Sequence, residues 1–99
     1  IFLVTSACEG FPMTILESQQ CGCVPIAYDS FAAAADLIMD EKNGILVENN
    51  NRHLFVEKLR NLMLNNQLRK DMSMQCIESS RRFSIKNVAT LWNNVLQSL

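Results

Sequence analysis

Two carboxylates near the start of the chain, and the residues between them, have types and a spacing that could do chemistry. Glu9 and Glu17 stand eight positions apart. Gly10 gives the backbone freedom after Glu9, and Pro12 suits the first position of a helix. Two carboxylates can accept hydrogen bonds from several hydroxyl groups of one ligand, and free N–H groups at a helix start can hold a phosphate oxygen. Taken alone, such a pair is more often a loop carboxylate and a solvated helix face. With the residues around it, the pattern favours a polyhydroxylated, phosphate-bearing ligand over a packed core.

The elements that must position these residues form a strand, loop, helix and strand. Ile1–Val4 is a short run of strand formers, and the helix is predicted from Pro12 to Gln20. Gly22 is expected to end that helix, and Val24–Tyr28 resumes as a second strand. This order is typical of the right-handed crossover of a parallel sheet. Ligands bind at the carboxyl ends of such strands, where Glu9 lies.

The rest of the chain predicts a third strand at Ile45–Val47 and three further helices. The helices are expected over residues 52–64, over residues 67–80 and after a cap at Ser84. Their apolar stripes are Phe55, Leu59, Leu62 and Met63, then Leu68, Met72 and Cys76, then Ile85, Val88, Trp92, Val95 and Leu96. The Trp92 and methionine stripes are expected in the core. The predicted fold class is α/β, with a partial Rossmann-like parallel sheet of about three strands, flanking helices and a C-terminal helical tail.

Composition limits the classes of protein that fit. The 99 residues are 48% hydrophobic with a net charge of −1, which suits one small domain and gives no basic excess for nucleic acid. No apolar stretch approaches the roughly 20 residues of a membrane-spanning helix, and no signal peptide opens the chain. We therefore expect a cytoplasmic protein, with a place at the cytoplasmic face of the membrane left open.

Cysteines, the histidine and an arginine pair offer weaker signals. Cys8, Cys21, Cys23 and Cys76 are the four cysteines, and buried thiols are favoured over a metal site. His53 is expected at the surface because no nucleophile with a triad-like context accompanies it. Arg81-Arg82 is interpreted as a solvated helix end rather than an anion site. No metal site is predicted.

The sequence EGFPMTILES, followed by CGCVPIAYD, resembles the donor-site signature of retaining nucleotide-sugar glycosyltransferases of GT-B architecture, the glycosyl transferases of group 1 or family 4. A later segment, Asn43-Gly44-Ile45-Leu46-Val47, resembles the NG-x-LV segment of that family. The helix-rich tail with Phe83-Ser84 and Trp92 continues the pattern, so the resemblance covers nearly the whole chain. One departure is the Ala32–Ala35 run, which favours helix where the family has a Gly-Pro-like stretch.

The resemblance implies a role for each residue of the signature. Glu9 would be the catalytic residue, contacting sugar hydroxyls and stabilising an oxocarbenium-like transition state. Glu17 would hold the ribose hydroxyls. The other implied donor-binding residues are Gly10, Phe11, Pro12 and Met13, which would present backbone amides to the sugar and diphosphate, and Thr14 and Ile15, which would lie near the phosphates.

Charge placement, combined with the resemblance, predicts a piece of a larger enzyme. All nine lysines and arginines lie at Lys42 or later, whereas a diphosphate beside carboxylates needs a cation. Family members supply it from upstream strands. Residues 1–99 would therefore be the C-terminal portion of the nucleotide-sugar-binding domain, inactive alone.

The implied partners are a nucleotide sugar and a sugar, glycan or lipid acceptor, with no cofactor, no metal and no nucleic acid. Peripheral membrane association would come through an N-terminal domain outside this sequence. An exposed sheet edge favours dimerisation of the fragment. The alternative is a non-catalytic α/β module that binds a nucleotide or sugar, or assembles with a partner. Basic diphosphate ligands upstream in the full-length chain would favour the enzyme.

Overall fold

The computed structural model describes residues 1–5, 13–30, 32–81 and 85–98. The elements in chain order are β1 (Phe2–Val4), α1 (Met13–Gln20), β2 (Pro25–Asp29), α2 (Ala32–Leu37), β3 (Ile45–Glu48), α3 (Arg52–Leu64), α4 (Asn66–Ser80) and α5 (Ile85–Gln97). The strands form one parallel sheet in the order β1-β2-β3. The predicted fold class is confirmed, and the Ala32–Ala35 run forms most of α2 as its helix propensity indicates.

The sheet carries a hydrophobic cluster on each face. One cluster packs β2 and β3 against α3 and α4, and its buried members are Val24, Ile26, Ile45, Val47, Phe55, Leu62, Met72 and Cys76. The other packs β1 and β2 against α1 and α2, and its buried members are Val4, Ile15, Leu16, Ala27, Leu37 and Ile38. Covering both faces is what a parallel sheet requires, because its strands lie between crossover helices.

Gly22 ends α1 as predicted. Its φ of +74° lies in the left-handed region, which glycine adopts without the steric cost of a Cβ. The Gly22 N–H donates to the Gln19 carbonyl at 3.0 Å, and the Cys23 N–H donates to the Ser18 carbonyl at 2.8 Å. These two bonds are the Schellman pattern, which satisfies carbonyls that the end of a helix leaves without partners.

The expectation that Trp92 and the methionine stripes lie in the core is wrong for most of these side chains. Trp92 is 63% exposed, and the α5 residues Val88, Leu91, Val95 and Leu96 are exposed with it. Met72 is buried, whereas Met13, Met39, Met63 and Met74 are exposed. The described apolar residues of α5 are exposed because they belong to neither hydrophobic cluster. Helical periodicity predicts an apolar face, but it does not supply the surface that covers it.

The thiols divide by position. Cys76 is buried as predicted, Cys23 is partly buried, and Cys21 is exposed because it follows α1 at the surface, so the expectation of buried thiols is wrong there. Cys8 lies outside the described residues. Within the described ranges no group of three or more His, Cys, Asp and Glu side chains could hold a metal ion. No helix in those ranges is long and apolar enough to cross a membrane.

Candidate functional site

Helix α1 presents one face to solvent and the other to the core. Met13, Thr14 and Glu17 are exposed, whereas Ile15 and Leu16 are buried in the cluster beneath the sheet. Residues three and four apart are neighbours on a helix surface, so Glu17 lies beside Met13 and Thr14. The structure therefore brings together, on one exposed face, three of the residues that the sequence assigned to the donor.

The first turn of α1 offers backbone donors to that same region. The first N–H groups of a helix have no acceptor within the helix, and α1 begins at Met13. Such groups carry partial positive charge and suit a phosphate oxygen. Ile15 differs from its exposed neighbours Met13 and Thr14 because the whole residue is 0% exposed.

The segment of sequence before α1 carries the other predicted site residues. Glu9, Gly10, Phe11 and Pro12 lie outside the described residues, and their roles remain predictions. The nearest described residues on each side are Thr5, which follows β1, and Met13, which begins α1. The catalytic assignment of Glu9 thus depends on its sequence position between these elements.

A buried amide network fixes α1 in place, and the sequence analysis did not identify it. Gln19, 2% exposed, donates through Nε2 to the carbonyls of Leu37 at 3.0 Å and Asn43 at 3.2 Å. Asn43, 1% exposed, donates through Nδ2 to the Leu37 carbonyl and to Ser79 Oγ, and its Oδ1 accepts from the Met39 N–H. The sequence signal for this network is the Gln19 amide on the core face of α1, because a buried polar group needs hydrogen-bond partners.

Gly44, which follows Asn43, packs too closely against β2 to carry a side chain. A Cβ at Gly44 would lie 2.9 Å from the Pro25 carbonyl oxygen and 3.0 Å from Pro25 Cγ. Contacts that short would force backbone to move, so glycine allows β2 and the turn before β3 to approach closely. The described contacts of this segment are structural, and they position α1 and β3.

A cavity opens at the carboxyl edge of the sheet, on the face that α3 covers. Its volume is about 390 Å³, and it is lined by Thr5, Tyr28, Asn50, Arg52, Phe55 and Val56. The Tyr28 and Phe55 rings pack with their centroids 4.6 Å apart. Arg52 begins α3, and α3 follows β3, so the chain brings a cation to this edge from its second half. From the sequence, the cations beside the donor diphosphate were expected from upstream strands outside this chain.

Several other cations are engaged elsewhere. Lys58 pairs with Glu41 at 2.7 Å, and the hydrogen bond and charge of that carboxylate raise the pKa of the lysine. Arg69 donates to the Leu62 carbonyl at 2.9 Å and so caps the end of α3. Arg81 pairs with Glu78 at 3.0 Å and is exposed, which agrees with a solvated helix end. Arg82 lies outside the described residues, and His53 is exposed as predicted.

The chain matches a protein family and curated proteins over most of its length. Residues 1–79 match the family model described as glycosyl transferases group 1. The chain is 28% identical over 96 residues to the amylovoran biosynthesis glycosyltransferase AmsD of Erwinia amylovora, a match that covers 97% of this chain and 27% of that protein. It is 27% identical over 88 residues to the N-acetylgalactosamine-N,N'-diacetylbacillosaminyl-diphospho-undecaprenol 4-alpha-N-acetylgalactosaminyltransferase of Campylobacter jejuni, covering 89% of this chain and 24% of that one. The chain therefore spans about a quarter of the length of these relatives.

A solved structure has the same fold. The crystal structure of Anabaena HepE in complex with UDP and glucose superposes with a TM-score of 0.84. The match covers 98% of this chain and 27% of that chain at 22% sequence identity, so it supports the arrangement of strands and helices alone.

Proposed function

Because the chain belongs to the glycosyl transferases group 1 family, we propose that it is the C-terminal portion of the donor-binding domain of a retaining glycosyltransferase. The enzyme would transfer a sugar from a nucleotide sugar to a hydroxyl group of a glycan, lipid or other acceptor. Two relatives support the acceptor classes: one is named for amylovoran biosynthesis and the other for a diphospho-undecaprenol substrate. HepE was solved with UDP and glucose, and the likeness to it supports the fold of the proposed donor-binding domain.

The observation that carries the proposal is the exposed face of α1. Glu17 shares that face with Thr14, at a helix start that follows the carboxyl end of β1. A carboxylate there can accept hydrogen bonds from both hydroxyls of a ribose, while the helix N–H groups hold the diphosphate. Glu17 would thus bind and orient the nucleotide, Met13 would contribute a backbone donor, and Thr14 and Ile15 would lie near the phosphates.

The chemical step would fall to the segment of sequence before α1. Glu9, with the backbone of Gly10, Phe11 and Pro12, would contact the transferred sugar and stabilise positive charge at its anomeric carbon. The acceptor oxygen forms a bond to that carbon as the bond to the diphosphate breaks, and the acceptor proton leaves with the nucleoside diphosphate. The new glycosidic bond would keep the configuration of the donor.

The reaction would proceed without a cofactor or a metal ion, in the cytoplasm or at the cytoplasmic face of the membrane. A membrane contact would come through a domain outside this sequence. Cations from upstream strands would complete the diphosphate site.

Product analysis with the full-length enzyme tests the proposal. The enzyme is incubated with UDP- and GDP-sugars and an acceptor glycan, and NMR determines the anomeric configuration of the product. We expect retention, and we expect Glu9→Gln to lower kcat by about 100-fold or more, as for other losses of transition-state charge stabilisation. Glu57→Gln, on the exposed surface of α3, is the matched control and should keep full activity. An inverted product would contradict the retaining mechanism, and nucleotide binding without transfer would favour the non-catalytic module.

A further inference from the structure

The cavity at the carboxyl edge contains groups that the proposed donor site does not use. Its lining residues include Arg52, Thr5, Tyr28 and Asn50, which carry polar side-chain groups, and the apolar Phe55 and Val56. We infer that this cavity is a second anion-binding site of the enzyme, in which Arg52 binds a phosphate group of a substrate. The inference rests on the proposed function, because it adds a phosphate contact to the same transfer reaction.

Arg52 is available for such a ligand. Within the described ranges the ion pairs join Lys58 with Glu41 and Arg81 with Glu78, and Arg52 takes part in neither. Its side chain is exposed at the cavity. A guanidinium presents paired N–H donors whose geometry matches phosphate oxygens, and it stays charged at every physiological pH.

The remaining lining suits a phosphate ester better than a free ion. The Thr5 and Tyr28 hydroxyls and the Asn50 amide can donate to further phosphate or hydroxyl oxygens. The Tyr28 ring packs on buried Phe55 and so offers a fixed aromatic surface to the organic part of the ligand. A volume of about 390 Å³ also exceeds what one phosphate fills and falls within the usual range for small-molecule sites.

Acidic groups at the same edge leave the cavity open to an anion. Asp29 ends β2 and Glu48 ends β3, and both are exposed, but neither lines the cavity. The Glu48 carboxylate instead accepts a long hydrogen bond from the Asn51 amide at 3.5 Å. Solvent screens exposed carboxylates strongly, whereas Arg52 would contact the ligand directly.

The cavity and the start of α1 lie on opposite faces of the sheet. Tyr28 and Phe55 pack with the α3 cluster, whereas Val4 and Ile15 belong to the α1 cluster. The phosphate at Arg52 would therefore be bound across the sheet from the proposed α1 contact. Two substrates could supply it, namely the diphosphate of the donor and a phosphate of the acceptor.

Calorimetry on the full-length enzyme separates these sources. The titrants are UDP and GDP for the donor, sn-glycerol 3-phosphate for a phosphorylated acceptor, and inorganic phosphate. The variants are Arg52→Gln and, as a control with the same charge change, Arg60→Gln on the exposed part of α3. Both positions are exposed at the surface of one helix, so both variants should fold.

We expect Arg52→Gln to weaken at least one phosphate-bearing titrant by about tenfold, the loss of a charge-assisted hydrogen bond. A loss confined to UDP and GDP assigns the donor, and a loss confined to glycerol phosphate assigns the acceptor. Unchanged affinities, or equal losses in Arg60→Gln, overturn the inference.

UDP- and GDP-sugar titrations of Glu17→Ala test the proposed function separately. If Glu17→Ala loses nucleotide sugar while Arg52→Gln keeps every titrant, the second anion site alone is refuted. If the wild type binds no nucleotide sugar, the proposed function fails, and the phosphate titrations still decide the role of Arg52.

Discussion

The side chain of Gln19 donates a hydrogen bond to the backbone carbonyl of Asn43 at 3.2 Å, and both residues are almost fully buried. This contact joins the core face of α1 to the turn that leads into β3. Glu17, two residues before Gln19, is exposed on the outer face of the same helix. A bond in the core therefore determines where the carboxylate of the proposed ribose contact is presented.

Asn43→Ala should destabilise the chain by about 2 to 4 kcal/mol, because it leaves buried donors and acceptors without partners. The groups that lose their bond to the Asn43 side chain are the Met39 N–H, the Leu37 carbonyl and Ser79 Oγ. Urea unfolding measures the change. Asn61→Ala, at an exposed position of α3, should stay within about 0.5 kcal/mol of the wild type. Equal stabilities of the two variants would show that the network contributes nothing.

Gly22→Ala should cost about 1 to 3 kcal/mol, because the residue has a left-handed φ and an added Cβ would lie 2.8 Å from Ser73 Oγ. Ser73 Oγ also donates to the Gly22 carbonyl at 2.7 Å. Chemical denaturation of both single variants and of the double variant with Ser73→Ala measures the coupling. The double variant should cost less than the sum of the single changes. A strictly additive result would count against the close contact.

Stability should fall at alkaline pH because of Cys76. Burial raises the pKa of its thiol from the ordinary 9.0 to about 11, and Cys23 adds to the rise. The unfolded thiol ionises near pH 9 while the folded one keeps its proton, so the contribution is intact below pH 9 and is lost as pH rises towards 11. The loss is roughly 2 kcal/mol. Urea unfolding at pH 8 and pH 10.5 measures it, and Cys76→Ala should show a smaller fall. Identical falls would rule out this thiol as the cause.

The 99-residue chain should dimerise through β1. This strand lies at one edge of the sheet, and its central residue, Leu3, is 51% exposed. Unpaired backbone at a sheet edge is a template for another strand. Sedimentation velocity should show a dimer that Leu3→Lys converts to monomer, whereas Leu64→Lys, at a position 79% exposed, should keep it. A monomer at all concentrations would contradict the edge pairing.

Much of the fold could be predicted from local patterns. Short apolar runs predicted the three strands, and the stripe of Phe55, Leu59 and Leu62 predicted α3, because each signal depends on residues close in sequence. The exposure of Trp92 could not be predicted in this way. An amphipathic pattern states that a face is apolar, whereas burial depends on what packs against it.

The candidate site was predictable to a smaller extent. The structure places Thr14 and Glu17 on the exposed face of one helix, and their roles towards a donor remain predictions. Asn43 and Arg52 were missed because their partners are distant in sequence: Asn43 contacts Ser79, and Arg52 shares a cavity with Thr5. Such juxtapositions arise from the crossover topology, which a local pattern does not contain.

Calorimetry of nucleotide-sugar binding tests the central claim most directly. The full-length enzyme is titrated with UDP- and GDP-sugars, alongside Glu17→Ala and the control Glu57→Ala, which alters an exposed carboxylate of α3. Removal of a hydrogen bond to a charged group should weaken binding by roughly 1 to 3 kcal/mol in Glu17→Ala and leave the control unchanged. Equal affinity in all three proteins would contradict the account, because the nucleotide would then bind away from the exposed face of α1.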